Sequence, residues 1–128
     1  MRGILGEKVG MTAIFDDTGR QIPVTVIKVS GNVVVDKRTE DRDGYSAVVL
    51  GYGEKNAKRF NKPELGYLEK QGVVVEEDGK RTSKRFLREF RVSAEELADY
   101  EIGQPVDVEK VLTSTDRVDV VGTSKGRG

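Results

Sequence analysis

Between positions 55 and 62 the sequence KNAKRFNK carries Lys55, Lys58, Arg59 and Lys62 and no acid. From Lys80 to Arg91, Lys80, Arg81, Lys84, Arg85, Arg88 and Arg91 stand against Glu89 alone. A third, shorter stretch is GTSKGRG at 122–128, whose only charges are Lys125 and Arg127. Cations at this density neutralise phosphates, and a guanidinium can fork onto two phosphate oxygens. Phe60 and Tyr67 interleave with the first run, and rings beside Lys and Arg can stack on unpaired bases. The plainer reading is a solvated face, with the rings as loop anchors. It suits most isolated charge runs. Three basic stretches, all in glycine-containing irregular segments, leave both readings open.

Acid and base balance at 22 residues each in 128, but they are not mixed. Residues 92–121 carry Glu95, Glu96, Asp99, Glu101, Asp107, Glu109, Asp116 and Asp119 against Lys110 and Arg117. The neutral total hides a basic half and an acidic half. An RNA-binding chain of this kind must turn its acidic third away from the RNA.

Catalysis is poorly provided for. There is no His and no Cys, which removes the commonest general base, the commonest metal ligands and any disulfide. No metal site and no cofactor are expected. GxxxxGK[ST] is absent, and Gly51-x-Gly53 has Asn56 where a third glycine would stand. The acidic clusters Asp16-Asp17 and Glu76-Glu77-Asp78 read as solvated turn residues. The N-terminal MRGILGEKVGMTAIF is broken by glycines and charges, so neither a signal peptide nor a membrane span is expected, and a cytoplasmic protein is.

The elements that must position these cations are mostly strands. MTAIF and QIPVTVIKV flank the turn DDTGR and read as a hairpin, with Pro23 near a strand start. NVVVDKRT and YSAVVLGYG form a second pair through EDRDG, with Asp43-Gly44 as a hairpin-type turn. FLREFRV, PVDVEKVL and DRVDVVG complete the series. Met11 and the valine runs read as core. SAEELADY is the one helix, with Ser93 and Glu96 as a capping box. Short strands with regular turn signals point to a small β-barrel in a single domain, 1–128. The stretch EKNAKRFNKPELGYLEKQGV breaks this rhythm and reads as a long irregular basic loop, about 54–72, outside the barrel.

Six blocks in order carry a resemblance: GILGEKVGMTAIF, IPVTVIKV, DGYSAVVLGYG, NKPELGYLEKQGV, LREFRV and VDVVGTSKGRG. Together they resemble the N-terminal part of the universal large-subunit ribosomal protein three family of bacteria. Val74 to Ser83 and SAEELADY match least. The resemblance implies a six-stranded Greek-key barrel of the translation-protein type, like the second domain of elongation factors, docked on large-subunit ribosomal RNA. It also implies that GTSKGRG, at 122–128, is the root of a long basic extension shaped by RNA, after which further barrel strands follow. Neither extension nor return strands are present, so the barrel is expected to be incomplete and the chain a fragment.

The leading expectation is a structural constituent of the large subunit, partnered by ribosomal RNA and neighbouring ribosomal proteins, with no membrane and no small-molecule substrate. The rRNA-binding residues expected are Lys55, Lys58, Arg59, Lys62 and Lys70 in the central loop, Lys84, Arg85 and Arg88 around the next strand, and Lys125 and Arg127 in the tail. Lys8, between Gly6 and Gly10, is a further candidate. The alternative is a protein-binding β-barrel accessory module of a translation factor, with solvated basic loops and an acidic partner interface.

Overall fold

A computed structural model describes residues 3–127; Met1, Arg2 and Gly128 lie outside the described residues. The fold is mostly β. It comprises two antiparallel sheets, and the described strands do not close into a barrel.

The first sheet is the expected hairpin of β1 (Glu7–Phe15) and β2 (Gln21–Lys28). Asp16 builds its turn. Its Oδ1 accepts from the Thr18 and Arg20 amides at 3.0 and 2.8 Å and from Thr18 Oγ1 at 2.7 Å. Pro23 pairs with Ala13 near the start of β2. Both faces of the ribbon stay open. Met11, expected in the core, is 67% exposed, and Phe15, Ile14 and Val26 are exposed as well. The apolar residues are there, but no second layer covers them among the described residues.

The second sheet has the order β5 (Val75–Glu77), β6 (Lys80–Arg91), β4 (Ala47–Asn56), β3 (Asn32–Arg38), β7 (Pro105–Val106). In β4 every residue from Ala47 to Tyr52 is buried. A strand covered on both faces reads as a continuous apolar run rather than an alternating one. One face packs Val34, Val48 and Leu50 against Leu97 and Val106, with Ile4, Leu5, Phe90 and Tyr100 around them. The other packs Val35 and Val49 against Leu68 and Val73, with Phe60, Tyr67 and Leu87 around them. Val34 and Val35 bury on opposite faces, as adjacent strand residues do, and the β3–β4 register shifts between Val34 and Asp36.

Several local expectations need correction. Asp43-Gly44 is not a hairpin turn. Residues Glu40–Asp43 form one helical turn, α1, and Gly44 (φ 82°) caps it by donating its N–H to the Glu40 carbonyl at 3.0 Å. Eight residues, 39–46, separate Arg38 of β3 from its partner Ala47 of β4, more than a two-residue turn spans. A true Asp-Gly turn joins β5 to β6 instead: Asp78 and Gly79 both take positive φ, 50° and 77°. PVDVEKVL is a strand only at Pro105–Val106 before a 3-10 turn, Val108–Lys110. DRVDVVG is not a strand; Val118, Val120 and Val121 are exposed, and the segment pairs with no described strand.

The long irregular loop is the largest correction. β4 runs on to Asn56, a 3-10 turn follows at Ala57–Arg59, and Lys62–Lys70 form helix α2. Asn61 caps α2 by accepting the Glu64 amide at 3.0 Å, and Pro63 sits in the first turn. Leu68 anchors it, 2% exposed in the second core. The one expected helix is present as α3 (Ala94–Leu97), with Ser93 Oγ accepting the Glu96 amide at 3.1 Å.

Candidate nucleic-acid interface

The β4–β6 register brings the first two basic stretches together. Lys55 lies opposite Ser83, Asn56 opposite Thr82, and Glu54 opposite Lys84. The corner formed by the end of β4, the 3-10 turn and the start of α2 therefore stands beside the first half of β6. Lys58, Arg59 and Lys62 are exposed on that corner. Asn56 Oδ1 accepts the Lys58 amide at 3.1 Å and fixes the turn that carries them. Lys55 is half-buried, its Nζ 4.6 Å from the centroid of the Phe60 ring.

The other expected residues are dispersed. Lys70 ends α2, roughly 12 Å from Lys62 at a 1.5 Å rise per residue. Lys84 is half-buried: its stem crosses Gly51, and its Nζ reaches the Gly31 carbonyl at 3.4 Å. Arg85 and Arg88 are exposed, and Arg88 Nη1 donates to the Leu87 carbonyl at 2.7 Å. Lys8 belongs to the other sheet, opposite Ile27 in the hairpin. Lys125 and Arg127 are exposed and in no strand or helix.

Phe60 and Tyr67 are half-buried anchors, not free rings. Both pack on the second core. Tyr67 also donates its hydroxyl to Asp36 Oδ2 at 2.5 Å. Asp36 in turn accepts from Arg38 Nη1 at 2.9 Å, and Arg38 Nε reaches Glu89 Oε1 at 2.8 Å. Tyr45 donates to Glu89, and the Arg91 guanidinium carbon lies 4.3 Å from the Tyr45 ring centroid. Burial pushes the Asp36 carboxyl up, but the Tyr67 and Lys37 hydrogen bonds and the Arg38 and Arg42 charges outweigh it and hold it below the usual range. The hydrogen bonds from Arg38 and Tyr45 likewise lower Glu89. Sequence alone gave no signal for this network, because its members come from two strands, a helix and the segment before β4.

Charge is sorted by face. α2 packs on the Val35–Val49 side of the sheet and α3 on the Val34–Leu50 side, through Leu68 and Leu97 respectively. The acids Glu95, Glu96 and Asp99 thus lie on or beside a helix across the sheet from the basic corner. Arg81, by contrast, is held by Glu69 of α2. Among the described residues no acidic cluster is arranged to hold a metal ion, and no helix is long and apolar enough to cross a membrane.

No protein-family model matches the chain. Curated relatives do. Large ribosomal subunit protein uL3 of Acidothermus cellulolyticus is 48% identical over 128 residues, all of this chain and 53% of the relative. The uL3 of Roseiflexus sp. is 48% identical over the same span, 55% of its length. That of Persephonella marina is 52% identical over 127 residues, 99% of this chain and 51% of the relative. The chain spans about half the length of these relatives. At this identity, the chain is similar along its whole length to the large ribosomal subunit protein uL3 family.

Proposed function

We propose that the chain is a structural constituent of the large ribosomal subunit that binds large-subunit ribosomal RNA directly and supports subunit assembly near the peptidyl transferase region. It acts on the ribosome, in the cytoplasm, beside neighbouring ribosomal proteins, and it catalyses no reaction. The observation that supports this reading is the β4–β6 register, which sets Lys55 beside Ser83 and Lys84 and brings the turn that carries Lys58 and Arg59 against β6. Affinity comes from phosphate neutralisation, and RNA shape rather than base sequence sets the register. Lys70, Arg88, Lys125, Arg127 and Lys8 are outlying phosphate contacts in the same reading. The finer fold assignment, a six-stranded barrel of the translation-protein type, belongs to this proposal too. The uncovered apolar faces of the β1–β2 hairpin are the surfaces that such closure would bury.

Those same faces favour a second reading, a protein-binding module of a translation factor. Titrating structured RNA against the chain at several salt concentrations separates the two. Steep salt dependence supports the RNA-binding constituent; absence of RNA binding at low salt leaves the protein-binding module.

A further inference from the structure

We propose that Phe86, framed by Arg85 and Gly53, is a stacking site for an unpaired base of an RNA strand. The inference rests on the RNA-binding reading and adds to it a contact that charge alone does not supply. Phe86 is 45% exposed in the middle of β6, while Tyr52, its partner across the ladder, is 5% exposed. A lone exposed apolar side chain is ordinary on a protein surface. This one differs in how it is held. A Cβ at Gly53 would sit 3.5 Å from Phe86 Cδ2, and Gly53 takes φ 78°, a backbone state that L side chains rarely adopt. The glycine thus brings bare backbone up to the ring edge. The Arg85 guanidinium carbon lies 5.2 Å from the ring centroid and makes no ion pair among the described residues.

Cations continue along the strand. Residues two apart share a face, so Arg88, opposite Leu50, stands on the same side as Phe86, the side that also carries α3, while Lys84 packs its stem over Gly51 and reaches the Gly31 carbonyl. Two carboxylates are near. Glu89 alternates to the other face and is taken up by Arg38 and Tyr45, and Glu54 lies opposite Lys84. An apolar partner protein would meet a cationic rim here. A nucleic-acid strand meets it with phosphates, and any base offers a π-face to a ring and a guanidinium plane. Duplex RNA, with its bases already stacked, does not fit the site.

The chain contains no tryptophan, so Phe86→Trp introduces a single indole, read apart from the tyrosines by excitation at its red edge. The probes are an oligouridylate of about a dozen nucleotides and an RNA duplex of similar length. We expect the oligouridylate to quench the indole and the duplex to leave it nearly unchanged. Phe86→Leu is expected to weaken oligouridylate binding about 5- to 20-fold, with an unchanged salt slope and unchanged duplex affinity. An unquenched indole overturns the stacking site. So does wild-type oligouridylate affinity in a folded Phe86→Leu variant. If Lys58, Arg59 and Lys62 changed together to Gln still weaken RNA binding in that case, the RNA reading survives without the stack. Failure of the unmodified chain to bind either probe overturns both. Circular dichroism checks the fold of Phe86→Leu, and the indole titration decides alone if that variant does not fold.

Discussion

The Tyr67 hydroxyl donates to Asp36 Oδ2 at 2.5 Å, tying helix α2 to strand β3 across 31 positions of sequence. Asp36 is 3% exposed, and its carboxylate is also served by the Lys37 amide at 2.8 Å and by Arg38. The next residue of the helix, Leu68, is buried in the core below. One leucine and one phenol therefore set where the helix lies, and with it the corner that presents Lys58, Arg59 and Lys62. A buried carboxylate with this many donors is ionised at neutral pH and accepts strongly.

Tyr67→Phe removes one hydrogen bond to a charged acceptor while keeping the ring. Such bonds contribute about 1.5–3 kcal/mol. Asp36 keeps its other donors, so the lower end is expected, read as a fall in the urea midpoint with an unchanged slope. Amide exchange in α2 should accelerate more than in β4. A midpoint equal to wild type would show that the hydroxyl does not hold the helix.

Acid should weaken the fold through the same group. Asp36 and Glu89 both have folded pKa values below their ordinary ones. A carboxylate of that kind contributes its full stability above the unfolded pKa and loses it as pH falls through the folded value. With ordinary values of about 3.9 for Asp and 4.3 for Glu, stability should hold from neutral pH to about 5 and decline below about 4. The chain has no histidine to add a transition near neutrality. Asp36→Asn should flatten the acid limb in urea melts taken at a series of pH values. An acid limb as steep as wild type in that variant would assign the loss to other carboxylates.

Two glycines should respond with opposite sign to alanine. Gly66 lies inside α2, and a Cβ there meets nothing within 4 Å. Gly66→Ala should stabilise by about 0.5–1 kcal/mol, because glycine is the poorer helix former. Gly51 lies in β4, where a Cβ would come within 2.6 Å of Val35 Cγ2 and 2.9 Å of Lys84 Cβ. Val35 is fully buried and β-branched, so it has little room to yield. Gly51→Ala should destabilise by about 1–3 kcal/mol. Thermal melts of the two variants compare them directly, and a stabilised Gly51→Ala would mean that the sheet there is looser than described.

The strands were readable where β-branched runs meet turn residues, as around Asp16–Gly19 and along β3 and β4. Helix α2 was not, because Gly66 interrupts a short apolar face made only of Leu65, Tyr67 and Leu68. Its start signals were nonetheless present: Asn61, Pro63 and, three residues after the cap, Glu64. DRVDVV alternates like a strand, yet a strand also needs an edge to pair with, and alternation says nothing about edges. The candidate site divides in the same way. Each basic stretch was visible on its own, but that two of them adjoin follows from the β4–β6 register. Tyr67 was legible as an aromatic among cations, while its partner Asp36 lies on a distant strand that only the fold brings near.

Phosphate contact can be counted by salt. Each neutralised phosphate contributes about 0.7 to 0.9 to the slope of log affinity against log salt. Changing Lys58, Arg59 and Lys62 together to Gln should flatten the slope by roughly two to three units. It should weaken binding to cognate and unrelated structured RNA alike, since phosphate contacts position but do not specify. Lys84→Gln should change the slope less than Lys58→Gln, because the Lys84 ammonium already lies 3.4 Å from the Gly31 carbonyl. Changing Glu95 and Asp99 to Gln should leave affinity similar or slightly raise it, since α3 packs on the opposite face of the sheet. Filter binding or fluorescence anisotropy at several salt concentrations gives all of these slopes. A wild-type slope in the basic triple variant would remove the α2 corner from the RNA contacts and leave the protein-binding module as the better account.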